Sequence, residues 1–418
     1  MTTQALEKAE LRSWKAPIAL AVFSALYTLM IALAPREGST TFRLSTAADP
    51  VQLGEITVPV TLTVWVVCVL LVVLTALAAL VVQRSGKTPL WILAAYIIIM
   101  IYGFLAWAAA GATIPVTGLL AGAVALAIPL IYGALTGVIG ERVGVVNIAI
   151  EGQLLAGAFT AAVVASLTRS PVLGLVAAMV AGMLVAFVLA AFAIKYLVEQ
   201  VIVGVVLNVL VVGLTSFFYS QVLQPNAALL NSPPRFDRIN IPLLSDIPVI
   251  GPVFFRQTII VYLMYIAVAV VWFGMTRTRW GLRLRAVGEH PQAADTVGIR
   301  VNPTRFWNVL LAGAIAGLGG TVFTIGNGIA FNKEMTAGAG FIALAAVIFG
   351  QWDPIKATLA ALLFGFASSL QNTLSVIGSP VPSEFMLMLP YVVTIFVVAG
   401  VVGRSRGPAA AGQPYVKG

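Results

Sequence analysis

Residues 59–82 read PVTLTVWVVCVLLVVLTALAALVV, a run of 24 positions without one charged side chain. A helix rises 1.5 Å per residue, so a run of this length crosses the ~30 Å hydrocarbon core of a bilayer. Working outward from it, apolar runs recur at 17–34, 90–110, 115–138, 147–167, 172–194, 199–222, 258–275, 306–329, 357–376 and 385–402. A further run at 338–350 is too short to cross alone and reads as a broken or re-entrant segment, packed where protein can satisfy its backbone. The fold class that follows is an all-α polytopic membrane helical bundle.

Composition agrees. Of the 418 residues, 60% are hydrophobic and 9% charged, against roughly 25% charged in a soluble domain. With one cysteine (Cys68) an intrachain disulfide is excluded, and with one histidine (His290) a multi-ligand metal site lacks ligands. The net charge of +9 does not point to nucleic acid, because the basic residues sit in short segments between apolar runs and read as topology determinants. Placing the N-terminus in the cytoplasm puts 17 of the 24 Lys and Arg on that side, and the C-terminus with them. The charged residues Glu7, Lys8, Glu10, Arg12 and Lys15 precede an apolar run that begins at Pro17, which reads as an uncleaved first span rather than a signal peptide.

Two segments expected outside are long. Residues 35–58 join the first two spans. Residues 223–257 carry Pro225, Pro233, Pro234, Pro242, Pro248 and Pro252, so they cannot form one long helix, and they are apolar enough to lie on the membrane face or to help dock an extracytoplasmic partner. Gly313, Gly317 and Gly320, like Gly133 and Gly137, fall on nearby turns of one span and read as close helix packing.

On the expected cytoplasmic side lies the segment 277–305, RTRWGLRLRAVGEHPQAADTVGIRVNPTR. Pro291 after His290 suits a first helical position and Gly298 suits a stop, which predicts a helix of about two turns over 291–297. Ala293, Ala294 and Val297 give it a small apolar face, with Gln292 and Asp295 on other faces. So short a helix is unstable alone in water. Insertion into a groove on a soluble partner and a solvated connector are both compatible with the residues.

The run GLRLRAVGEHPQAADTVGI (281–299) resembles the cytoplasmic loop of ABC importer permeases of the ribose, branched-chain amino acid and nucleoside type, through Gly281, Leu282, Arg285, Ala286, Gly288, Glu289, Pro291, Ala293, Ala294, Gly298 and Ile299. GERVGVVNIAIEGQLLAGAF (140–159) and GAGFIALAAVIFGQWDPIKATLAALLFGFASSLQ (338–371) resemble two further segments of that family, and E-R-x-G-V-V-N-I-x-x-E-G is closest to its nucleoside branch, with simple sugars near. The resemblance implies a core of about ten membrane helices over 113–403, an N-terminal extension over 1–112 with three extra spans, and a cytoplasmic tail over 404–418. It implies that Arg285, Gly288, Glu289, Pro291, Ala293, Ala294, Val297 and Gly298 couple to a separate ATPase subunit, which binds the ATP and Mg. It also implies a second permease subunit, identical or homologous, and an extracytoplasmic binding protein that delivers a nucleoside or related sugar to a multi-pass protein of the inner membrane.

Polar residues inside the spans are the remaining candidates. Asn147 and Glu151 are four apart and share a helix face, where they suit a gate or a helix-packing bond; Glu151 is expected near the cytoplasmic end, pairing with Arg142 or accepting hydrogen bonds from a neighbouring helix. The amides of Asn208, Asn327, Gln371 and Asn372 suit a ligand rich in hydroxyls and ring nitrogens, or else bond between helices. Phe341 and the run Phe217, Phe218, Tyr219 could stack a base, or could belong to the interfacial aromatic belt. Gly86-Lys87-Thr88 ends like a Walker A loop, but Val81 stands where its first glycine belongs, so ATP hydrolysis by this chain is not expected. An ion- or proton-coupled secondary transporter is the alternative function. It predicts several buried charges and paired broken helices, and these spans hold few charges. No catalytic constellation supports a membrane enzyme.

Overall fold

A computed structural model of the chain describes residues 14–46, 49–86, 88–327, 329–379 and 407–416, together with 381, 382, 385 and 388. The span expected at 385–402 lies outside the described residues, apart from two positions. Among the described residues, 10 helices are long and apolar enough to cross a membrane, and the chain is a multi-pass membrane protein. It divides into two compact units, one of residues 1–119 and 370–403 and the other of residues 120–369 and 404–418.

The first unit holds α1 (Lys15–Leu33), β1 (Ser39–Arg43), β2 (Ile56–Pro59), α2 (Val60–Ser85), α3 (Leu90–Ala108) and β3 (Thr113–Pro115). The segment after α1, read from sequence only as a long connection, forms a small sheet. Strand β1 pairs antiparallel with β2 and parallel with β3. Gly86, in the left-handed conformation, ends α2, as a residue without Cβ readily does. Inside the apolar layer, Ser24 hydroxyl lies 2.8 Å from Tyr96 hydroxyl, which donates to Leu20 carbonyl at 2.9 Å. At the other end Arg36 donates to the carbonyls of Trp107 (3.1 Å) and Ala108 (2.9 Å), neutralising the negative end of α3.

Helix α4 (Val116–Arg142) leads from the first unit into the second. There follow α5 (Ile150–Thr168), α6 (Pro171–Ala190), α7 (Gln200–Phe218), the single turn α8 (Ala227–Leu230), the hairpin of β4 (Arg238–Asn240) and β5 (Arg256–Thr258), α9 (Ile259–Arg277), α10 (Arg279–Glu289), α11 (Pro291–Thr296), α12 (Val301–Gly320), α13 (Ala339–Phe349) and α14 (Pro354–Val376). Local chemistry sets several of these starts. Ser170 caps α6 ahead of Pro171, Glu199 accepts the Ile202 amide at 2.7 Å to open α7, and Asp353 accepts the Lys356 amide at 3.0 Å ahead of Pro354 to open α14.

The glycines expected to pack helices do so. A Cβ on Gly157 or on Gly182 would collide with the backbone of Gly317, so α5, α6 and α12 meet backbone to backbone. On α4, Gly133 faces Ala343 and Gly137 faces Val347, each leaving 2.7 Å for an added methyl, which seats α13 against α4. Helix α12 begins at Val301 rather than 306, with Pro303 in its first turns, where the missing amide breaks no helical bond.

Candidate functional site

Segment 140–153 organises the second unit. Glu151, on the first turn of α5, accepts hydrogen bonds from Thr336 hydroxyl (2.6 Å), Gly338 amide (2.9 Å) and Gly340 amide (2.6 Å). Its carboxylate therefore sits on the positive N-terminus of α13. At the far end of α13, Arg142 donates to the carbonyls of Trp352 (3.0 Å) and Gln351 (3.3 Å), and Glu141 accepts the indole N–H of Trp352. Both termini of this 11-residue helix are thus held by charges of the favourable sign.

Of the two partners the sequence offered Glu151, donors from a neighbouring helix are the ones found. Arg142 does not pair with Glu151; the two stand at opposite ends of α13, about 16 Å apart along an 11-residue helix. Glu151 is buried within the protein, and its three donors offset the cost of holding an acid away from water.

The turn between α4 and α5 has non-helical backbone inside the bundle, and neighbouring side chains satisfy it. Gln200 carbonyl oxygen accepts the Val146 amide at 2.7 Å. Asn208 accepts from the Gly152 amide at 2.8 Å and donates to Ile148 carbonyl at 2.9 Å. Asn147 donates to Gln153 at 3.0 Å, both fully buried. Asn208, a candidate for the translocation path, here holds the start of α5. Asn147 and Glu151 do not share a helix face as expected, because α5 begins at Ile150 and Asn147 stands in the turn ahead of it; both nevertheless lie in this framework.

The segment 277–305 is more ordered than the sequence suggested. The one helix expected at 291–297 is α11, which ends at Thr296 with Val297 as its cap, and Gly298 at φ +85° turns the chain. Ahead of it stands α10, an amphipathic helix the sequence reading missed. Gly281, Leu284, Val287 and Gly288 form its buried stripe, while Leu282, Arg283 and Arg285 are exposed. Gly288 presses on the Arg142 backbone, where any Cβ would collide, and Trp280 donates its indole N–H to Asn308 of α12 at 2.8 Å. Within α11, Pro291 and Ala294 face inward. Ala293 and Val297 are exposed and, with Ala294, Ala286, Glu289 and His290, line an open apolar groove of about 250 Å³.

A second cavity, of about 450 Å³, lies at the opposite end of the same unit. Ala125 and Ile128 of α4 line it, with Arg235, Asp237, Arg238, Gln257, Thr258 and Asn327 as its polar wall. Pro129, inside α4, has no amide to give the carbonyl of Ala125, a residue that lines this cavity. The volume is in the range of small-molecule sites. Of the residues expected along the path, Asn327 lines this cavity, whereas Asn208 and Phe341 do not. Gln371 and Asn372 lie in the last turns of α14, the part of that helix assigned to the other compact unit. Phe217 and Phe218 are exposed on the apolar surface of α7, as belt residues are.

Comparison with known proteins adds the following. The profile of the family described as "Branched-chain amino acid transport system / permease component" matches residues 118–398. The chain is 42% identical over 291 residues to the guanosine ABC transporter permease protein NupQ of Bacillus subtilis, covering 66% of this chain and 90% of that protein. It is 38% identical over 291 residues to the nucleoside ABC transporter permease protein NupC of Lactococcus lactis, with the same coverage, 66% and 90%. A second guanosine permease of Bacillus subtilis, NupP, is 26% identical over 62% of this chain and 74% of its own length. No solved structure matches the chain. With a profile covering most of its length on a helical membrane bundle, the chain belongs to the branched-chain amino acid transport system permease family.

Proposed function

We propose that this chain is one permease subunit of an ATP-driven importer for nucleosides, paired with a second, related permease. The observation that carries the substrate class is the 42% and 38% identity to a guanosine and a nucleoside permease, each over 90% of the relative's length. The occurrence of both NupP and NupQ among the matches supports a two-permease assembly. In this reading the Arg-rich end faces the cytoplasm, by the positive-inside rule. The α10–α11 groove receives an ATPase subunit, which binds ATP and Mg. The 450 Å³ cavity beneath the β4–β5 hairpin faces outward and receives solute from a binding protein.

The chemistry of that cavity suits a nucleoside. Asp237 accepts, Arg235 and Arg238 donate, and Gln257 and Asn327 do both. Ile128, Ile260, Val261 and Val322 supply apolar area for a base. Clamping α13 between Arg142 and Glu151 gives a route from the loop to the interior, because Gly288 of α10 packs on the Arg142 backbone.

The test is uptake of labelled guanosine into cells or proteoliposomes carrying this permease, its partner permease, the ATPase and the binding protein. ATP-dependent uptake competed by other nucleosides is expected. Uptake without any ATPase, or competition by simple sugars but not by nucleosides, would overturn the respective part of the reading.

A further inference from the structure

Residues 407–416 lie beyond the family-matched segment 118–398, yet they are bonded into its Arg-rich end. The tail makes a tight turn in which Ala411 amide donates to Pro408 carbonyl at 3.0 Å and Gln413 amide to Ala410 carbonyl at 3.2 Å. Pro408, Ala410 and Tyr415 are buried. From this turn contacts spread to three helices. Ala410 amide donates to Gly288 carbonyl at 2.9 Å, and Ala409 amide to the Glu289 carboxylate at 3.3 Å, both on α10. Tyr415 lies beside Asp295 of α11, and burial together with that carboxylate pushes its hydroxyl pKa up. Arg305 of α12 donates to Gln413 carbonyl at 2.8 Å. On its other side the tail touches elements that hold α13. Gly144 lies between the Arg305 guanidinium and Ala410 carbonyl, and Gly407 lies against the ring of Trp352.

Stability alone does not account for this seat. Arg305 is 2% exposed, and among the described residues its Nε and Nη2 have no hydrogen-bond partner. Burying a guanidinium with unpaired N–H groups is unfavourable. The arrangement nevertheless fixes the relative positions of α10, α11, α12, the α4–α5 turn and the turn after α13.

We propose that residues 407–416 are a positioning strap, which holds the α10–α11 pair in register with the Arg142–α13–Glu151 clamp so that displacement of the pair reaches the interior. This rests on the reading of α10–α11 as the ATPase contact. With the strap absent the ATPase still binds its groove, since no described tail residue lines it, but its stroke is lost in a loop that moves alone.

The experiment compares the full chain with one ending at Arg406. Each is co-expressed with the partner permease and ATPase and reconstituted with the binding protein. Co-purified ATPase, ATP hydrolysis and solute uptake are measured on the same vesicles. The expected result is ATPase binding and hydrolysis near the full-chain level, with uptake per ATP hydrolysed down roughly tenfold, inside the range of ordinary coupling free energies. An unchanged ratio of uptake to hydrolysis overturns the proposal. So does loss of ATPase binding in the shortened chain, which would make the tail an assembly element. Should the shortened chain fail to insert, the double variant Ala410→Pro with Tyr415→Phe removes one backbone donor and the Tyr415 hydroxyl at full length, and the same ratio decides. A full chain that retains no ATPase overturns the importer reading itself.

Discussion

The carboxylate of Glu151 accepts the Gly340 amide at 2.6 Å across 189 residues of sequence. It joins the second of the family-like segments to the third, and it makes a buried acid a structural part of a short helix. With Arg142 at the opposite terminus, α13 is fixed at both ends by residues that lie nine positions apart in the chain.

Glu151→Gln should lower the stability of the folded chain by about 1–3 kcal/mol, the cost of leaving buried donors unmatched. One amide oxygen cannot replace two carboxylate oxygens that accept from three donors, and its NH2 group would face backbone N–H groups. Thermal melting of the detergent-solubilised protein measures this; an unaltered midpoint would show that the carboxylate is dispensable.

Two glycine substitutions should part company. Gly317→Ala places a methyl against the Ala178 carbonyl, where α6 and α12 touch, and is expected to destabilise by about 1–3 kcal/mol, as overpacking does. Gly213→Ala on α7 meets nothing within 4 Å and should be neutral or stabilise by about 0.5–1 kcal/mol. Folded yield and melting of the pair measured side by side test whether backbone contact, rather than glycine content, holds this knot together.

In the α10–α11 groove, Ala293→Glu with Val297→Arg alters exposed positions, so insertion and melting should not change. Retention of the ATPase through purification is expected to fall at least about tenfold, as for a bulky charge set into a desolvated contact. Normal retention would remove the groove from the docking surface.

At the outer cavity, Asn327→Ala should raise the KM for uptake by about 2–10-fold, the worth of one neutral hydrogen bond, with ATP hydrolysis unaffected. Asp237→Asn tests whether a carboxylate acceptor is needed there. A fall in the maximal rate at unchanged KM would place both residues outside the solute's contacts.

What the sequence disclosed was whatever is local. Runs such as 59–82 announce their helices because lipid demands a continuous apolar surface, and the stop at Gly298 follows from a conformation that glycine adopts freely. Helix α10 went unseen because its arginines dominate the composition, although Gly281, Leu284, Val287 and Gly288 do recur at helical spacing. The sheet of β1, β2 and β3 escaped because its strands are three to five residues long and β3 pairs with β1 from 72 positions away. Arg305 reads as a surface charge and is buried, a difference created by Gln413, 108 residues away. The partners of Glu151 were equally out of reach, since no local pattern names Thr336, Gly338 or Gly340 as its donors.

The brevity of α13 bears on how the protein is made. At 11 residues it spans about 16 Å, half of what a translocating channel needs before releasing a segment sideways into lipid. It can settle only against chain already laid down, and the acid that receives it was synthesised 189 residues earlier. Biogenesis therefore has a fixed order, in which the region around Glu151 must be in place and waiting before the ribosome delivers the helix it will hold.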